Sequence, residues 1–111
     1  MNTNTANNRN AKNWKKYINH FVPLLLSRDV GYEFDNNADF RSYVKNLFNK
    51  YLNCDWGDLC EEDWKLNDLA VENRDDRILA RYTDTQSNFA DIYIITESDF
   101  SSTTILFTDE Y

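Results

Sequence analysis

Glycine and proline are scarce in this chain: two of the first and one of the second among 111 residues. With only Gly31 and Gly57, no glycine-rich loop can cradle a phosphate, which excludes P-loop and dinucleotide fingerprints. Pro23 marks the one place where a helix is forced to stop or kink for want of a backbone donor. Histidine occurs once, as His20, and the two cysteines, Cys54 and Cys60, are separated by five residues. That gap is wider than the usual zinc spacing, and there is no second cysteine pair. A site built from His20, Cys54, Cys60 and a carboxylate falls outside the ordinary ligand patterns, so no metal is expected. An EF-hand register fails too: with Gly57 at the sixth loop position, Leu52 would be the first ligand. A cysteine–histidine pair would lack a third, orienting group nearby. Adjacent carboxylates such as Glu61 and Glu62 point ~100° apart on a helix and do not converge as an acid/base pair. The expectation is a protein with no cofactor and no enzymatic activity.

Long apolar runs are also missing. The longest, Phe21 to Leu26, falls far short of the ~18 residues of a membrane-spanning helix. No apolar h-region follows a charged start, so no signal peptide is expected and the chain is read as cytoplasmic with reduced thiols. What the chain does have is 41% hydrophobic residues, with aromatics making up 15% of the chain, which is enough for one packed core, and 111 residues are too few for two. Residues 1–9 read as a disordered polar tail, and 10–111 as one domain: a helical part over 10–53, then an acidic helix and a β-meander over 54–111.

Each sign of charge is absent from one end. Met1 to Arg28 has five basic residues and no acid, and Tyr82 to Tyr111 has no lysine or arginine. The net charge of -7 is therefore polarised, with a basic helical end and an acidic body. Such a body disfavours direct nucleic-acid binding and favours a protein partner with a basic surface. A charged face serving solubility alone accounts for the same composition.

Apolar spacing predicts the elements. Trp14, Tyr17, Ile18, Phe21, Val22 and Leu25 share one helical face, on a helix from about Asn10 to Leu26 that Pro23 kinks or ends near Phe21 and Val22. "SRDVGYEFDNN" reads as a turn and connector. Phe40, Tyr43, Val44, Leu47, Phe48, Tyr51 and Leu52 predict a second helix, capped by Asn36 with Asp39 and ending near Asn53. A third, from about Cys60 to Asn73, starts either with Asp58 as its cap or with Cys60, and would turn Leu66, Leu69 and Ala70 to the core. "RILARYT", "FADIYIIT" and "STTILFT" alternate as strands, and short connections make them antiparallel neighbours. The fold class expected is α+β, with two to three N-terminal helices packed on a C-terminal three-stranded antiparallel sheet.

The densest feature is "NCDWGDLCEEDWKLNDLAVENRDD", Asn53 to Asp76, with nine carboxylates. Asp58, Glu61, Glu62 and Asp63 suit the positive end of a helix dipole. Asp68, Glu72, Asp75 and Asp76 do not, and Asp75 and Asp76 lie near the negative end. Spaced every three to four residues, such acids put a carboxylate about every ~5 Å along one helix face. Duplex DNA has a charge per ~1.7 Å of axis, so the helix supplies about a third of that density. The candidate partner-binding residues are Asp55, Trp56, Asp58, Glu61, Glu62, Asp68, Glu72, Asp75 and Asp76. Trp56 enters as an aromatic anchor. Solvation of an ordinary helix face explains the same acids without any partner.

Residues 54–111 also contain, in order, Trp56-Gly57-Asp58, Glu62-Asp63 with Asn67-Asp68, Ile95-Thr96-Glu97 with Asp99, Thr103-Thr104 with Leu106, and the terminal Glu110-Tyr111. This order resembles a group of small proteins carried by plasmids, phages and other mobile elements of bacteria. The departure is Cys60, where that pattern has serine or aspartate at the helix cap. The resemblance implies a setting in the bacterial host cytoplasm and a counter-defence role, foremost anti-CRISPR. Such a protein would occupy a nucleic-acid-binding surface of a CRISPR effector or other nuclease. The alternative is an antitoxin-like or regulatory accessory module acting through helix packing, for which a homodimer is one expected arrangement.

Overall fold

The computed structural model describes the backbone of residues 4–86 and 88–111 and the side chains of 13–86 and 88–111. Helix α1 (Asn4–Phe21) ends where Pro23 requires it, and begins inside the segment expected to be a tail, whose first three residues lie outside the described ones. Proline also pushes the residue before it toward extended backbone. The chain responds by entering a strand, β1 (Leu24–Leu26), so Leu25 does not continue the helical face. Ser27 then caps α2 (Arg28–Asn36), its Oγ accepting from the Val30 N–H at 3.2 Å. The segment expected to be a connector is thus a helix. Gly31 and its aspartates disguised it, and it buries only Val30 completely.

Helix α3 (Ala38–Leu52) buries Phe40, Val44, Leu47, Tyr51 and Leu52, as the spacing predicts. Its cap is Asn37 rather than Asn36; the Asn37 side chain accepts from the Asp39 and Phe40 amides, each at 3.1 Å. Its end is a left-handed turn at Cys54 (φ 61°), with the Asp55 N–H donating back to the Lys50 carbonyl and Cys54 to Tyr51. That turn aims the chain into the Trp56-Gly57-Asp58 segment. Helix α4 (Glu61–Asn73) starts at Cys60, which makes no side-chain cap bond. Its inner face is Asn67, Ala70 and Val71; Leu66 and Leu69 are exposed, contrary to expectation. Short hydrophobic stripes leave the rotation of a helix undecided, and here the pairing of Asn67 with a strand edge decides it.

Strands β2 (Ile78–Tyr82), β3 (Ile92–Thr96) and β4 (Thr103–Phe107) form the expected antiparallel meander. The sheet is nevertheless four-stranded and mixed, in the order β1-β4-β3-β2, because β1 pairs parallel with β4. The Thr103 N–H donates to the Pro23 carbonyl and Ser27 to Ile105, both at 2.9 Å. A parallel partner more than seventy residues away leaves no local trace in three leucines. Overall the class is α+β, with four α-helices among the described residues.

One sheet face is the core floor: Ile78, Ala80 and Tyr82 of β2, Ile92 and Ile94 of β3, and Ile105 of β4. Above it Trp14, Tyr51 and Trp56 are fully buried and meet ring to ring at 5.3–6.0 Å. The indole of Trp14 donates to the Tyr51 carbonyl at 3.2 Å. The Tyr51 hydroxyl bonds Thr96 at 2.6 Å, and Thr96 bonds Thr103 at 2.7 Å, so the buried hydroxyls satisfy one another across three elements. No helix among the described residues is long and apolar enough to cross a membrane.

Candidate functional site

The acidic segment divides into residues that hold the fold and residues that face solvent. Trp56 belongs to the first group. It is completely buried, and its indole N–H donates to the Asp68 carboxylate at 2.9 Å. Trp56 is therefore a core residue and not an exposed anchor, which corrects the expectation. Gly57, at φ 76°, lies against the Arg81 carbonyl of β2. On either side, the Arg81 N–H donates to the Trp56 carbonyl at 3.2 Å and the Asp58 N–H to the Arg81 carbonyl at 2.6 Å. Asp58 does not cap α4. Its carboxylate accepts the Thr83 N–H at 2.9 Å and the Thr83 hydroxyl at 2.7 Å. These two bonds hold the Asp58 carboxyl below the usual carboxylate range. Asp55 accepts from the Gly57 N–H at 3.1 Å.

Asn67 completes this clamp. Its side-chain amide donates to the Leu79 carbonyl at 2.8 Å and accepts from the Leu79 N–H at 3.4 Å. An exposed strand edge invites pairing with other chains. Here Asn67 and the Trp56–Asp58 segment occupy the free edge of β2. The Trp56-Gly57-Asp58 triplet and the Asn67-Asp68 pair are thus largely fold-closing contacts. The terminal Glu-Tyr pair has the same character. Glu110 accepts from the Ser27 hydroxyl at 2.7 Å and the Phe107 N–H at 2.8 Å, and Tyr111 stands edge-on to Tyr93.

The second group faces solvent. Glu61, Glu62, Asp63, Glu72, Asp75 and Asp76 are all exposed, on α4 or in the turn after it. Glu61 pairs with Lys65 at 3.7 Å with both side chains mostly solvated, an arrangement worth only a few tenths of a kcal/mol. Asp76 accepts from the Arg77 N–H at 2.7 Å, so it has a local role as a turn former. Helix α4 ends with Arg74 in the left-handed region.

A feature that the sequence gives no sign of is a polar cavity of about 490 Å³ lined by Tyr43, Lys50, Asp55, Asp58 and Asp84 among others. The Tyr43 hydroxyl is buried with no hydrogen-bond partner among the described residues. Burial first, then the charges of Asp84, Asp91 and Asp58, push its pKa up to about 12. It is a neutral phenol at any physiological pH. A buried, unmet hydroxyl costs stability. Tyr43→Phe is expected to raise stability by about 1 kcal/mol, read as a rise in melting midpoint of roughly 4–8 °C. A lowered midpoint would mean that the hydroxyl is bonded in solution, through water.

Cys54 is half-buried, and burial, with the charge of Asp68 adding to it, pushes its thiol up to about 12. That leaves it protonated and a poor nucleophile or metal ligand. Among the described residues no three His, Cys, Asp or Glu side chains converge as a set of metal ligands. No family model matches the chain, and neither a curated protein nor a solved structure matches it.

Proposed function

We propose that this protein is a non-enzymatic inhibitor that binds a basic surface of a protein partner through the outward acids of α4 and the turn that follows. The observation that carries this reading is the division of the acidic segment. Asp55, Asp58 and Asp68 have hydrogen-bonding roles within the fold. Glu61, Glu62 and Asp75 stand in solvent on one short stretch of chain. A field of like charges opposes folding by self-repulsion and attracts a basic partner from a distance. The resemblance to mobile-element proteins supports a counter-defence role, with a nucleic-acid-binding surface of a CRISPR effector or other nuclease as the target.

The test is binding of the purified protein to candidate effectors over a salt series. Reversal should avoid Asp58 and Asp68, whose loss would damage the fold. The triple variant Glu61→Lys, Glu62→Lys, Asp75→Lys is expected to weaken binding about tenfold or more at low salt, and wild-type affinity is expected to fall as salt rises. Binding that ignores salt and survives the reversal would refute the proposal.

A specific observation favours the second reading, an accessory module that acts through apolar packing. Phe21, Leu24 and Leu25 are exposed at the junction of α1 with the edge strand β1. Under that reading their replacement by polar residues abolishes association while the acid reversals leave it intact.

A further inference from the structure

We infer that the partner reads α4 as an amphipathic docking helix: Leu66 and Leu69 enter an apolar groove, and the surrounding carboxylates meet lysines and arginines on its rim. This rests on the reading that the acidic face of α4 binds a basic protein. It adds what that face recognises besides charge.

The two leucines are 61% and 51% exposed, although the helix packs closely on its other side through Asn67, Ala70 and Val71. The fold therefore leaves roughly half of each leucine's apolar surface in water, open to burial by a partner. At positions i and i+3 they are neighbours on one helix surface, about 4.5 Å apart along the axis. Glu62 precedes Leu66 by one turn and Glu72 follows Leu69 by one turn, so carboxylates stand at both ends of the pair. Lys65 lies beside Leu69, and its ammonium is turned to Glu61.

A pure mimic of the nucleic-acid backbone has no use for these leucines. Methyl groups at the centre of the face add no charge and keep phosphate-binding cations away from the acids beside them. An apolar pair framed by charge is instead the pattern of a helix laid into a groove, with side chains one turn apart as anchors. The acids select the groove. They repel nucleic acid and anionic lipid, and they favour a protein cleft with a basic rim. Phe21, Leu24 and Leu25, a second exposed apolar cluster among the described residues, lie in the segment without acids and do not share this chemistry.

Two helical peptides of about 18 residues, or five turns, serve as probes: an amphipathic leucine/lysine peptide and its alanine/lysine counterpart of identical charge, in which alanine keeps the helix and removes most of the apolar surface. Titration of the full chain, followed by calorimetry and by amide chemical shifts, is expected to show the leucine peptide binding about tenfold or more tightly than the alanine peptide. The largest shifts are expected on α4. The double variant Leu66→Ser, Leu69→Ser is expected to lose the preference with an unchanged melting midpoint. Equal binding of both peptides to the wild type would overturn the inference and leave the acidic-face proposal standing. A preference that survives in the double variant would also overturn it, by placing the apolar contact elsewhere. Binding of neither peptide would overturn both.

Discussion

Gly57→Ala is expected to abolish the cooperative melting transition, or to leave it only at low temperature. An added Cβ would lie 2.1 Å from the Arg81 carbonyl oxygen and 2.6 Å from the Tyr82 ring. The oxygen cannot retreat freely. It accepts the Asp58 N–H at 2.6 Å, and the Arg81 N–H is held by Trp56. The residue also sits at φ 76°, where an L side chain costs about 1–2 kcal/mol before any clash. Strain and clash together exceed about 4 kcal/mol, a large part of the roughly 5–15 kcal/mol that stabilises a small domain. Gly31→Ala is the internal control. It lies in α2, and the nearest atom to its added Cβ is that of Leu26 at 3.9 Å. A gain of about 0.5–1 kcal/mol is expected there. Urea titration followed by circular dichroism measures both. A folded Gly57→Ala variant of near wild-type stability would show that the clamp on β2 is looser than its geometry implies.

Trp56→Ala is expected to cost about 3–5 kcal/mol of stability. The side chain is fully buried between Trp14 at 6.0 Å and Tyr51 at 5.3 Å, so its removal opens a cavity under two further aromatic rings. It also removes the indole donor of the exposed Asp68 carboxylate, which turns to water instead. Trp56→Phe separates the two effects. It keeps most of the ring packing and loses the hydrogen bond, for an expected cost of about 1.5–3 kcal/mol. Chemical denaturation gives the values. Were Trp56 instead a partner contact, alanine would weaken binding and leave stability untouched, the reverse of the expected result.

The most distinctive residues of the sequence pattern, Trp56, Gly57, Asp58, Asn67 and Asp68, close the edge of β2. Less distinctive residues, Glu61, Glu62, Leu66, Leu69 and Asp75, make up the face available to a partner. Sequence gave no means of separating the groups. An aspartate that accepts an indole N–H and one that stands in water are written with the same letter. Asn67 is a case in point, since an amide between Leu66 and Asp68 is at odds with a solvated face only once the helix rotation is known.

Some features needed nothing beyond the sequence. The periodicity of Phe40, Val44, Leu47 and Tyr51 determined α3, because an apolar stripe every three to four residues can be buried in no other regular conformation. Alternation from Ile78 onward, with turns between, determined the antiparallel meander. Pro23 determined the end of α1. Three matters were decided only in the tertiary structure: the parallel pairing of β1 with β4, the helical state of 28–36, and the rotation that turns Leu66 and Leu69 outward. Each depends on a contact with a distant part of the chain: β1 with β4, Ser27 with Glu110, Asn67 with the edge of β2. Local sequence fixes which conformations a segment can adopt at low cost. The free energy that chooses among them comes from surfaces brought together only when the chain has folded.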